Sequence, residues 1–273
     1  MSAFRTLLRE LTPPLIWRVT KKLHKKLLKR PAFHGVYKTY QDIPQENQWE
    51  SELWIRQQKT ALDTAKRQIP SYLPNMRHTH TNLTVLYLNS LSWKDKVRVL
   101  DFGGASGEVY YSMVAGGALL YPDNIDWTVV DSQNLIELGE KAKDAKDQIT
   151  YLSQIPIGRQ FDVLYVSTVF QYIDDIEAIA ETLLKETKPR HVVLTRLFSG
   201  ADNPEYFTEN YAFGRRCPLH IFNTRKLAEV IEKHGFHPVL RAVNMEETIS
   251  PASYKEVPLS LQIYNTSHLF FTK

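Results

Sequence analysis

The chain contains a single cysteine in 273 residues. With Cys217 alone there is no internal disulfide, no cysteine-based zinc cluster and no dithiol redox pair, which suits a reducing compartment. No stretch supplies the roughly 20 consecutive apolar residues of a membrane-spanning helix. The first residues lack the short apolar core and small-residue cleavage site of a secretory signal, so the expected location is the cytoplasm. Internal repeats and low-complexity tracts are absent. So are G-K-[ST], H-E-x-x-H, an EF-hand loop and the setting of a catalytic serine. Their absence leaves little ground for a P-loop, metalloprotease or hydrolase reading, and no metal site is expected.

What is present is ordinary for a folded protein, 43% hydrophobic and 23% charged, and long enough to bury an α/β core. The charge is unevenly spread. Up to Gln41, ten basic residues stand against Glu10 alone, a balance of +9; the formal net charge is +4, so the remainder carries −5. After Pro13 and Pro14, Leu15, Ile16, Val19, Leu23 and Leu27 recur at helical spacing, with Arg18, Lys21, Lys22, Lys25, Lys26 and Lys29 between them. This pattern is a cationic amphipathic helix. In one reading residues 15–30 lie on an anionic membrane surface, leucines among acyl chains and each lysine contributing roughly 1 kcal/mol, which makes the protein peripheral to the inner face of the plasma membrane. In the other, the apolar face packs on its own domain and the lysines are only solvated. Nucleic acid is not an expected partner, because neither aromatic interleaving nor a reading motif accompanies the charge.

Three units follow from the pattern: a basic arm over 1–30, a helical extension over 31–96 and a cofactor-binding domain over 97–273. Residues 31–45, with Pro31, Gly35 and Pro44, read as a connection. Asn47 to Ile69 reads as a helix with Trp54, Leu62, Ala65 and Ile69 near one face, ended by Pro70 and Pro74, and a short helix is expected over Asn82 to Leu91. From Val97 onward, apolar runs at 97–102, 126–131, 148–153, 161–167 and 191–198 alternate with helical periods, with a further strand pair at 236–243 and 266–272. That alternation is the mark of an α/β fold with a parallel sheet and crossover helices.

The first of these runs leads into "VLDFGGASGEVYY" at 99–111. A dinucleotide fingerprint would place glycines at 103, 105 and 108, where the chain has Gly103, Ala105 and Glu108. A carboxylate at the third position crowds the helix and opposes an anionic ligand. The turn reads instead as Asp101, Gly103, Gly104, Ala105 and Gly107, with an acid closing the strand. That acid suits a cation, and S-adenosylmethionine carries an ammonium and a sulfonium and no phosphate. The second piece is an acid ending the next strand, to accept hydrogen bonds from ribose hydroxyls, and "WTVVD" supplies Asp131.

These segments also resemble a known family. From about Phe33 to its end the chain is similar to bacterial class I methyltransferases encoded among genes for surface polysaccharides such as lipopolysaccharide O-antigen and capsule. The likeness is carried by "FHGVYKTY" at 33–40, the glycine turn, "WTVVD", "STVFQYIDD" at 167–175 and "VVLTRLF" at 192–198, the last two being the more discriminating. The resemblance implies a Rossmann-like class I methyltransferase fold, a mostly parallel seven-stranded sheet with helices on both faces. It also implies a methyltransferase dependent on S-adenosylmethionine that acts on a sugar hydroxyl of a surface glycan or its lipid-linked precursor. Two other classes stay open: a nicotinamide-dependent oxidoreductase, against which Glu108 counts, and a catalytically silent, membrane-attached binding protein.

Methyl transfer from a sulfonium is an in-line displacement that mainly requires positioning, while a sugar hydroxyl gains from a base that takes its proton. In an open parallel sheet the ligand sits beyond the carboxyl ends of the strands. His191, His234 and His237 fall toward the opposite edge, His268 in the last strand, His24 in the arm and His78 and His80 in a loop. His220, on the long connection after the strand at 191–198, is the candidate base, and His34 is a weaker one. Tyr172 and Arg196 are candidates for the acceptor side. Ser167 and Gln171 join the cofactor side with Asp101, Gly103, Gly104, Ala105, Gly107 and Asp131. Asp174 and Asp175 precede a helical period and read as a helix cap rather than a metal pair.

Overall fold

The computed structural model describes residues 31–67, 79–115, 117–200 and 204–273. The basic amphipathic helix expected over 15–30 lies outside the described residues, as do Pro70 and Pro74. After the strand β1 (Phe33–Tyr37) and the helices α1 (Glu52–Arg67) and α2 (Thr79–Ser92), strand and helix alternate. The order is β2 (Val97–Phe102), α3 (Glu108–Ala115), β3 (Ile125–Val130), α4 (Gln133–Ala142), β4 (Ile149–Leu152), β5 (Val163–Ser167), α5 (Ile176–Thr187) and β6 (His191–Leu197). Then come β7 (Ser199–Gly200), β8 (Tyr206–Ala212), β9 (Arg215–Asn223), α6 (Thr224–Glu232), β10 (His237–Thr248), β11 (Tyr254–Lys255) and β12 (Asn265–Thr272).

Seven described strands form one sheet in the order β10-β12-β6-β5-β2-β3-β4. The five from β2 to β6 run parallel, and β12 is antiparallel to both of its neighbours. Both faces are covered, which is why these strands read as nearly continuous apolar runs rather than as alternations. Val99, Val129 and Val163 pack with Leu62, Val85, Met113 and Ile136 on the face of α1 to α4. Leu100, Leu164 and Leu194 pack with Leu183, Leu227 and Val230 on the face of α5 and α6. The chain runs outward from β2 to β3 and β4, then returns to β5 on the other side of β2. That reversal opens a crevice at the carboxyl ends of β2 and β5, the place where such sheets bind ligands.

A second sheet of the described residues has the order β11-β1-β8-β9-β7. Its existence corrects two expectations. Residues 33–37, expected in a connection, form β1 because residues far along the chain supply the partners: Phe33 pairs with Asn210 and with Tyr254. The expected long loop after β6 is largely the β8–β9 hairpin, in which Phe207 faces His220 and Ala212 faces Arg215. The helix expected from Asn47 starts later. Residues 48–50 make one short 3-10 turn and Ser51 breaks it, its hydroxyl accepting the Trp54 N–H at 3.2 Å at the head of α1. Among the described residues no helix is long and apolar enough to cross a membrane.

Candidate active site

The glycine turn is built as its sequence requires. Gly103 has φ 73°, in the left-handed region that glycine enters without strain, and its N–H donates to the Val130 carbonyl at 2.8 Å. A Cβ at Gly104 would collide with the Asp101 carboxylate. Asp101 therefore lies beneath the turn, 1% exposed, where Trp127 Nε1 donates to its Oδ2 at 3.0 Å. Asp131, just past β3, reaches across to the turn: the Ala105 N–H donates to Oδ2 at 2.8 Å and the Ser132 N–H to Oδ1 at 2.6 Å. Ser167 ends β5, its hydroxyl 3.3 Å from that of Thr168.

Three carboxylates share this corner. Burial, with Glu108 and Asp131 nearby, pushes the Asp101 carboxyl far above its usual range, although the Trp127 bond works against the shift. Burial raises Asp131 as well, opposed by its Ser132 and Ala105 hydrogen bonds. Glu108, opening α3, is pushed up to about 7, first by burial and then by Asp131, with its own backbone N–H, the Ser106 hydroxyl and Arg196 acting the other way. A pyrophosphate would add negative charge to three acids already resisting ionisation, whereas a cationic ligand would relieve them. The residues present fit a cation-bearing cofactor and do not fit a dinucleotide.

Strain collects at the same edge. Ala105, Thr168 and Arg196 have φ 49°, 61° and 55°, left-handed conformations unusual outside glycine, and they follow or end the adjacent strands β2, β5 and β6. Such conformations persist only where surrounding structure enforces them, and they cluster at functional sites. The enforcing bonds are visible: Ala105 to Asp131, the Thr168 N–H to the Thr195 carbonyl at 3.2 Å, and the Arg196 N–H to His268 Nδ1 at 3.2 Å.

The acceptor-side candidates fall in two places. The side chain of Arg196 acts electrostatically on Glu108, Tyr165 and Tyr172, which puts its charge between the carboxylate corner and the loop after β5. Tyr172 sits on that loop, its ring edge-on to Trp49 at 4.8 Å and its carbonyl accepting the Tyr40 hydroxyl at 3.2 Å. Burial, with Cys217 nearby, raises its hydroxyl above the usual range, so it is a neutral donor. Gln171 is fully buried, 0% exposed, and neither amide atom has a partner.

His220 lies on β9 rather than in a loop, its ring stacked on Phe207 at 4.3 Å. It lines a cavity of about 350 Å³ with Asp174, Glu177, Glu205, Asn223 and Lys226, at the heads of α5 and α6. Nδ1 is buried and unpartnered, and burial holds the imidazole below its usual pKa despite the carboxylates of Glu205 and Asp174, so the ring is neutral at neutral pH. Burial works against ionisation of Glu205, but Lys226 and the Asn223 N–H outweigh it and keep the carboxyl below its ordinary range. Asp175 caps α5, accepting the Ala178 N–H at 2.9 Å, as the helical period predicts. His34 is not brought to His220: it lies on β1, 3.2 Å from Glu256. His191 bonds Tyr87 at 2.8 Å and Thr272 at 3.0 Å at the far end of β6, a structural role. Sequence reasoning missed Thr168, Glu205 and Lys226, and treated Glu108 only as an obstacle to dinucleotides.

The order of the main sheet, its switch point and the acid-flanked turn describe a domain for which a family profile gives an independent test. The profile of the methyltransferase-domain family matches residues 57–240. The chain belongs to that family. Its fold is the Rossmann-like class I methyltransferase fold, with the mostly parallel seven-stranded sheet described above. Similar solved structures include a Burkholderia thailandensis 1,6-didemethyltoxoflavin-N1-methyltransferase bound to 1,6-didemethyltoxoflavin and S-adenosylhomocysteine (14% identity, TM-score 0.49, covering 81% of this chain and 87% of that one). Another is the Synechocystis magnesium protoporphyrin IX methyltransferase with bound S-adenosylhomocysteine (13% identity, TM-score 0.47, 71% and 81% covered). A third is an S-adenosylmethionine-dependent methyltransferase from Mesorhizobium loti (16% identity, TM-score 0.45, 71% and 98% covered). No curated protein matches the sequence.

Proposed function

We propose that this methyltransferase uses S-adenosylmethionine to methylate a sugar hydroxyl of a surface glycan or its lipid-linked precursor. The cofactor is S-adenosylmethionine, and the observation that carries it is the corner of Asp101, Glu108 and Asp131 around a glycine turn unfit for pyrophosphate. Gly103 to Gly107, Asp131 and Ser167 would hold it, Asp131 toward the ribose hydroxyls. When bound, it supplies a methyl group made electrophilic by the sulfonium.

The acceptor reading rests on the cavity around His220. Its lining mixes hydrogen-bond acceptors (Asp174, Glu177, Glu205) with donors (Lys226, Asn223), which suits a ligand dense in hydroxyls. It opens beside the loop that follows β5, toward the carboxyl end of the sheet. A neutral His220 can take the proton of a hydroxyl as its oxygen bonds to the methyl carbon. Tyr172 and Arg196 lie outside the lining of this cavity, Arg196 with its charge toward the carboxylate corner. The likeness of "STVFQYIDD" and "VVLTRLF" to polysaccharide-associated methyltransferases points the same way.

The test is transfer of labelled methyl groups to nucleotide sugars and lipid-linked oligosaccharides, followed by identification of the methylated atom. Label on a glycan oxygen is the expected result. Label on a small-molecule nitrogen, and on no glycan, would replace the acceptor class while leaving the cofactor in place.

A further inference from the structure

We propose that Glu108 is the residue that reads the positive charge of the methyl donor, and so sets specificity from outside the glycines of the turn. The inference rests on S-adenosylmethionine being the cofactor. Glu108 is the first residue of α3, immediately after Gly107, and its Oε2 is buried without a hydrogen-bond partner. The Ser106 hydroxyl, two residues earlier and 0% exposed, and the Glu108 backbone N–H act on the same carboxyl and favour its ionised form. An orphaned carboxylate oxygen at the mouth of the turn is unusual in a folded protein, because a buried polar atom without a partner is costly.

The charges around Glu108 say what is missing. Asp101 faces it from β2, Asp131 from the end of β3, Tyr151 from β4 and Arg196 from β6. Two carboxylates and a phenol thus surround a third carboxylate, with one guanidinium to balance them. A ligand ammonium or sulfonium supplies the further positive charge, and its arrival favours the ionised form of Glu108.

Proton linkage follows. With a pKa of about 7, Glu108 is roughly half protonated at neutral pH before the donor binds. Binding a cation lowers that value, and the carboxyl proton passes to solvent with no covalent change. Affinity therefore rises with pH up to about 7, by at most tenfold per unit, and levels off above it.

The experiment is calorimetric titration of the full chain with S-adenosylmethionine, and separately with S-adenosylhomocysteine, at pH 6, 7 and 8 in buffers of different ionisation enthalpy. The wild type is expected to release about half a proton near pH 7. Glu108→Gln is expected to release none, to lose the pH dependence and to bind about tenfold more weakly at pH 8. Glu108→Asp, which keeps the carboxylate, retains part of the release. Release with both ligands assigns Glu108 to the ammonium they share; release with S-adenosylmethionine alone assigns it to the sulfonium. A thermal melt of Glu108→Gln no lower than wild type at pH 8 shows that the variant folds. Wild-type affinity and proton release in Glu108→Gln would overturn the proposal. Failure of the wild type to bind S-adenosylmethionine would instead overturn the cofactor reading beneath it.

Discussion

Replacing Asp131 by Asn and by Ala separates two jobs held by one carboxylate. Its Oδ2 accepts the Ala105 N–H at 2.8 Å, and Ala105 sits at φ 49°. The left-handed region costs a residue with a Cβ roughly 1–2 kcal/mol. A hydrogen bond to an ionised group contributes about 1.5–3 kcal/mol, enough to offset that cost. Asp131 thus holds the turn in shape, and on the proposed reading its carboxylate would also face the ribose. Asn keeps an oxygen for Ala105 and loses the charge; Ala loses both. Asp131→Asn should bind S-adenosylmethionine about tenfold more weakly, and Asp131→Ala about a hundredfold, or ~3 kcal/mol. Asp131→Ala should also unfold more easily in denaturant by about 1–2 kcal/mol. Calorimetric titration and urea unfolding of the three proteins measure both effects. Unchanged affinity in a folded Asp131→Ala protein refutes the reasoning about the ligand; lost stability with unchanged affinity reduces Asp131 to a brace for the turn.

Ala105→Gly should stabilise the protein by about 1 kcal/mol, because glycine adopts the same φ without strain; urea unfolding that shows a loss would contradict the strain argument. His220→Ala should leave cofactor affinity intact and lower turnover by ~10²–10⁴, and in the wild type the low pKa of His220 keeps the base neutral, so activity should fall only below the pH range of an ordinary histidine. A methylation assay with and without the histidine, from pH 5 to 8, checks both statements. Lys21→Glu with Lys25→Glu should weaken binding to anionic vesicles, and wild-type binding should fall as salt rises; equal pelleting with neutral and anionic lipid, or none with either, would mean that these lysines are only solvated.

The main sheet was legible because its strands are buried on both faces and separated by helical periods, so composition alone marks them. Val97–Phe102 coincides with the expected strand, and the other expected runs fall within a residue or two of the observed ones except the 236–243 run, where β10 extends to Thr248. The second sheet was not legible. In β8 the inward positions include Thr208 and Asn210, both buried, so the apolar alternation that marks a half-buried strand is missing. Pro218 in β9 and Gly35 in β1 read as loop residues, and β1 finds its partners 170 or more residues away, beyond the reach of any local pattern. That is why His220 was expected on a connection and is found on a strand.

For the site, the tight turn after β2 and an acid just past the neighbouring strand were readable, because glycines at short spacing mark a turn that needs left-handed φ. The depth of Asp101 beneath Gly104 was not, since burial depends on Trp127 one strand away. The left-handed conformations of Thr168 and Arg196 carry no sequence signal, because neither residue type favours φ above zero.

On the proposed reading the acid-flanked turn takes S-adenosylmethionine and refuses a dinucleotide. Calorimetric titration of the full chain at pH 8 with S-adenosylmethionine, and in parallel with NADH, decides between the two ligands. Saturable binding of S-adenosylmethionine with no heat from NADH is the predicted result; saturable binding of NADH without binding of S-adenosylmethionine would contradict it.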